Sequence, residues 1–119
     1  MINNVVLVGR LVADPVSKDI NGKKVCEIKL ALQRPFKNQN NNTYETDFIK
    51  VQFWDYLALL IEEHAFTGAT VGVIARLQNR IINVNDKPFE IIDVVANSIT
   101  FISKPYEKTN IELDKEKKD

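Results

Sequence analysis

The one histidine and the one cysteine are the first candidates for catalysis, and neither is placed for it. His64 adjoins Glu62 and Glu63, but no HExxH or other metal-ligand spacing is formed. Cys26 falls on the apolar side of an alternating segment and reads as a small buried hydrophobe. A lone cysteine can build neither an internal disulfide framework nor a multi-cysteine metal site. The glycines at 9, 22, 68 and 72 are scattered, so no loop cradles a phosphate, and no G-x-S-x-G elbow occurs. The expectation is a protein that is not an enzyme, with no metal and no cofactor.

Binding chemistry is better represented. In 46-TDFIKVQFWDY-56, strand alternation puts Ile49, Val51 and Phe53 on one apolar face. The opposite face reads Phe48, Lys50, Gln52, Trp54. Flat rings with a cation between them match the two handles of single-stranded nucleic acid, its base faces and its charged backbone. Arg76 and Arg80 place two cations on one face of a later strand, and Arg34 and Phe36 repeat the cation–aromatic pairing around Pro35. A second reading stays open on these residues alone. Phe48 and Trp54 could be covered by a helix or another subunit, and the cations could be ordinary solvated surface charges.

The elements that must carry these side chains can be read from periodicity. With 119 residues, 45% of them apolar and 27% charged, the chain suits one globular domain with a real core. No apolar run is long enough to span a membrane, and MINNVVLVGRL has neither a basic leader nor a cleavage site. It reads as the mature start of a cytoplasmic protein. Sixteen basic residues balance sixteen acidic ones, and residues 1–104 carry 12 against 11, so anion binding must come from the placement of charge.

Residues 4–13 are apolar on both faces apart from Arg10. This predicts a strand covered on both sides or pairing with another subunit. Asn21-Gly22 marks a hairpin turn. A strand over 25–33 has Cys26, Ile28, Leu30 and Leu32 inward, and residues 37–43 form a polar loop. Asp55 is placed as an N-cap for a helix over 56–66, with Leu57, Leu60, Ile61 and His64 on its stripe and Gly68 as its stop. Strands follow at 70–82 and 89–102, with a turn or loop at 83–88. Three strands, a helix and two strands predict an all-β, five-stranded OB-fold barrel with one short helix between strands 3 and 4. An open α+β sandwich has the same element order. The domain is placed at 1–104 and a short charged, disordered tail at 105–119.

The sequence resembles the bacterial and phage single-stranded-DNA-binding proteins. Their opening N-x-V-x-L-x-G-x-L-x-x-D-P corresponds to 4-NVVLVGRLVADP-15, with Asn21-Gly22 at the family's spacing. Their central T-E-W-H-R-V-V-x-F-x-x-L-A corresponds to 46-TDFIKVQFWDYLA-58, and G-x-x-V-x-V-x-G-x-L-x-x-R to 68-GATVGVIARLQNR-80. The resemblance implies an OB fold, a homo-oligomer (a tetramer, with a dimer as the other possibility), and DNA wrapped by stacking on aromatics. It implies stacking at Phe36, Phe48 and Trp54, a backbone contact from Lys50 where the family has arginine, and a basic contact at Lys18. It also implies a role in replication, recombination and repair beside the nucleoid.

Three departures stand out. Ile82 replaces the tryptophan of the long hairpin, leaving Phe89 as its only substitute. Ile49 replaces the histidine that supports assembly. The ending IELDKEKKD lacks the acidic aromatic tip, so recruitment of replication proteins through the tail is not expected. Combined, these readings give sequence-independent binding of single-stranded DNA. Arg10, Lys18, Arg34, Lys50, Arg76 and Arg80 would meet phosphates, and Phe36, Phe48, Trp54 and Phe89 would meet bases. The alternative is a primosomal-type interaction module with weakened DNA binding.

Overall fold

The structure is a computed structural model and describes residues 1–102. The boundary at 104 and the charged tail lie outside the described residues. The element order is β1 (Val5–Leu11), β2 (Ser17–Ile20), β3 (Lys23–Lys37), β4 (Tyr44–Trp54), α1 (Tyr56–His64), β5 (Thr70–Val84) and β6 (Lys87–Phe101).

Neighbouring strands run in the order β1-β5-β6-β4-β3-β2, and β1 also pairs with β3 through Arg10↔Ala31 and Leu11↔Leu30. Five strands therefore return on themselves as the OB-fold ring expected from the element order, with β2 added at the rim beside β3. The helix falls between the third and fourth strands of that ring. The sequence reading missed β2, which is only four residues long and mostly exposed. The pair β4–β6 is parallel and rests on a single bridge, Gln52↔Val95.

Period-two alternation explains the core. Cys26, Ile28 and Leu30 of β3, Val51 and Phe53 of β4, and Val71, Val73 and Ala75 of β5 all turn inward and are buried. Ala58 and Ile61 of α1 join the same cluster, with Leu57 packed beside it. Gly9 is required where β1 crosses β3. A Cβ there would meet the Ala31 carbonyl oxygen and Leu32 Cδ2, each at 2.7 Å.

The two hairpin turns follow local chemistry. Asn21 and Gly22 adopt φ of 52° and 81°, and Asn85 and Asp86 adopt 52° and 62°. Two successive left-handed residues are what a tight two-residue turn requires. The segment read as a turn or loop over 83–88 is thus only two residues wide, and both strands of the arm run up to it.

The helix boundaries differ from the reading. The helix ends at His64, short of residue 66, and Gly68 sits in the later turn with φ of 86°. Asp55 makes no side-chain cap bond. Its backbone N–H donates to the Lys24 carbonyl, and its φ of 53° turns the chain sharply out of β4. His64, read as part of the helix's apolar stripe, is exposed, with its ring edge-on to Phe101 at 5.7 Å between centroids.

Candidate nucleic-acid interface

Strand register decides which candidate side chains meet. β3 and β4 pair as Val25↔Trp54, Glu27↔Gln52, Lys29↔Lys50 and Ala31↔Phe48, and directly opposed residues share a face. That face is the outward one, since the residues between them are core. β2 extends it with Lys18, which opposes Val25. Across the Gln52↔Val95 bridge it continues onto β6 and β5 through Arg76↔Val95, Gln78↔Asp93, Arg80↔Ile91 and Ile82↔Phe89. Lys18, Phe48, Lys50, Trp54, Arg76, Arg80 and Phe89 therefore occupy one continuous outer surface. Arg10 adjoins it at the other end, opposite Ala31 and beside Gln33 and Thr46.

Phe48 is 57% exposed and Phe89 is 50% exposed, so both rings are available to stack. Trp54 is half-buried against Val25, and its indole Nε1 donates to Gln52 Oε1 at 3.2 Å. This bond holds the ring in place. Phe89 opposes Ile82 directly, so an exposed aromatic stands on the facing strand at the position where 82 lacks one.

The cations fall into two groups. Arg10, Lys18, Lys29 and Lys50 have no ion pair among the described residues. Lys29 directly opposes Lys50, an arrangement of like charges that is unfavourable unless an anion lies over them. Sequence reasoning missed Lys29. Its outward direction was readable, but its partner depends on register.

Arg76 is held by neutral amides, donating to Gln78 Oε1 at 2.8 Å and to Asn97 Oδ1, and has no acidic partner among the described residues. Arg80 donates to Asp93 at 2.7 Å. Arg34 is bound most fully. Its Nε and Nη2 grip both Asp47 oxygens at 3.0 Å and its Nη1 reaches Glu45 at 2.7 Å. The Asp47 hydrogen bond raises the guanidinium's pKa, and the same bond holds the Asp47 carboxyl below its ordinary value. Glu45 and Asp47 alternate with Phe48 and Lys50, so Arg34 is drawn to the other side of the arm. Phe36 is 67% exposed farther out on this β3–β4 arm, apart from the main platform.

Residues 2–102 match the model of the single-strand binding protein family. The chain belongs to that family. A single-stranded DNA-binding protein of Oceanobacillus iheyensis is 39% identical over 104 residues, covering 86% of this chain and 64% of the relative. One from Halalkalibacterium halodurans is 36% identical over the same length, covering 61% of the relative. The chain thus spans somewhat less than two thirds of these relatives. Among solved structures, a Plasmodium falciparum SSB in complex with ssDNA superposes with a TM-score of 0.72 at 26% identity. That match covers 86% of this chain and 96% of the other. Family members are non-enzymatic binding proteins, and no group of three or more metal-capable side chains exists among the described residues. No described helix is long and apolar enough to cross a membrane.

Proposed function

We propose that this chain binds single-stranded DNA without strong dependence on sequence and protects it during replication, recombination and repair. The observation that carries this reading is the outer face itself. Phe48, Trp54 and Phe89 lie on the same surface as the opposed, unpaired Lys29 and Lys50. Rings there accept bases at about 1–3 kcal/mol each, and a phosphate over the two lysines relieves their repulsion. The relatives' names support the same ligand. Lys18, Arg76 and Arg10 extend the charged track, while Arg34 and Arg80 act mainly to brace the arms. On this reading the protein works in the cytoplasm beside the nucleoid.

Homo-oligomerisation is part of the proposal. Among the described residues, residues 5–9 of β1 pair only with β5, which leaves the other edge of that segment open there. Val6, at 66% exposure, opposes Ile74, at 45%, and Val8 lies on the same face. An unpaired edge flanked by exposed valines suits a second copy of the chain. A tetramer is the assembly proposed, with a dimer as the simpler alternative. Sedimentation of the Val6→Lys, Val8→Lys double variant should show a monomer, and unchanged assembly would contradict this interface.

The deciding experiment for DNA uses the single tryptophan. Trp54 fluorescence should be quenched by poly(dT), and salt should reverse the quench. Absence of both quench and gel shift at low salt would favour the interaction-module reading, which the internal neutralisation of Arg34 and Arg80 also suits.

A further inference from the structure

The outer face contains a feature that a purely sequence-tolerant platform does not need. Beside Trp54 lies a cleft of about 340 Å³. Val25 lines it next to the indole, Lys18 and Arg80 also border it, and the cross-strand pair Glu27 and Gln52 contributes polar side chains. Asp93 also borders it but is bound to Arg80. Glu27 has no hydrogen bond or ion pair among the described residues.

The chemistry of the pair is fixed by its surroundings. An indole N–H can only donate, so Trp54 commits the Gln52 amide oxygen and leaves the Gln52 NH₂ free to donate. The cleft therefore offers a donor beside an acceptor, adjacent to a stacking ring. A carboxylate repels phosphate, so the edge of a base is the part of a nucleic acid that can approach Glu27.

We infer that this cleft distinguishes bases, favouring those with an exocyclic amino group, cytosine above all, over thymine. The inference rests on the DNA-binding reading above and deepens it. A cytosine stacked on Trp54 donates from N4 to Glu27 and accepts from Gln52 at N3, satisfying both groups. Thymine in the same position turns its O4 toward the carboxylate and its N3–H toward the Gln52 NH₂, a mismatch at both points. If thymine slides to place N3–H on Glu27, one carbonyl can reach Gln52, but the other is left against the carboxylate. Cytosine and thymine have similar stacking area, so a difference between them isolates the edge contacts.

Equal-length oligo(dC) and oligo(dT) compete for the full-length protein at mildly alkaline pH, with affinity read by Trp54 quenching and by anisotropy of a labelled strand. Oligo(dC) should bind about five- to tenfold tighter, the low end of base discrimination, as befits an open cleft. Glu27→Gln keeps the side-chain shape but can both donate and accept, so it should bring the two affinities together, chiefly by strengthening oligo(dT). Binding of both strands with no preference, a preference for oligo(dT), or a cytosine preference that survives Glu27→Gln would each overturn the inference. Binding of neither strand would refute the DNA-binding reading itself, which keeps the two failures distinct. A melting curve for Glu27→Gln that matches the parent excludes a folding defect as the cause.

Discussion

The partition of cations on the outer face makes a quantitative prediction about salt. For single strands, log K falls with log salt at a slope of about 0.7 per neutralised phosphate. Five cations on or beside the platform have no ion pair among the described residues: Arg10, Lys18, Lys29, Lys50 and Arg76. One phosphate on each gives a slope of about −3.5. If Arg34 and Arg80 contributed fully despite their acidic partners, seven contacts would give about −5. The measurement is a Trp54 quenching titration with poly(dT) across a tenfold range of NaCl. Two variants sharpen it. Lys50→Ala should shallow the slope by about 0.7. Arg34→Ala should leave the slope unchanged, because its guanidinium is already satisfied by Asp47 and Glu45. Equal shifts for Lys50→Ala and Arg34→Ala, or a parent slope near −5, would refute the partition. The exposed Arg34 pairs contribute little to stability in water, so a melting curve for Arg34→Ala close to the parent's is also expected.

Three other outcomes follow from the packing and the ionisable groups. Gly9→Ala should destabilise by about 1–3 kcal/mol through overpacking against Ala31 and Leu32, and a Tm equal to the parent's would contradict the close crossing. Cys26 is fully buried, and burial is the first cause of its raised thiol pKa, so the native protein should resist a thiol reagent until denaturant is added. Prompt labelling of native protein would count against that placement. Asp47 is held below its ordinary pKa first by the Arg34 hydrogen bond, so the link it makes is present above the ordinary aspartate range and is lost only as pH falls through the depressed value. NMR titration of the Asp47 carboxyl at or above the ordinary range would show the link absent in solution.

Several of these features were legible in the sequence because they depend on short-range periodicity. The alternation from Phe48 to Trp54 assigned Ile49, Val51 and Phe53 to the core side and Phe48, Lys50 and Trp54 to the outside, and Val51 and Phe53 are indeed fully buried. Asn21-Gly22 supplied its own turn geometry. What escaped reading depends on which residue stands opposite which. Phe89 was readable as a substitute for the aromatic missing at Ile82, but its place directly opposite Ile82 depends on the register fixed by a two-residue turn at Asn85-Asp86, a segment that looked like a wider loop. Lys29 meets Lys50, and Arg34 is captured by Asp47 thirteen residues on, through the pairing of two strands. Asp55 has a good capping side chain, but the exit from β4 puts its backbone in the left-handed region, and the side chain makes no cap bond.

The lone parallel bridge between Gln52 and Val95 is the narrowest join in the ring. The proposed DNA track crosses it, with Trp54 and Lys50 on one side and Arg76 on the other. On the proposed reading, a strand of DNA bound there would act as a clasp over the least secured join of its own receptor. Amide exchange should therefore slow most, on loading, along that join and not in the already well-paired β5–β6 arm. Ligand and fold would then be mutually stabilising: the ring would shape the track, and the occupied track would keep the ring shut.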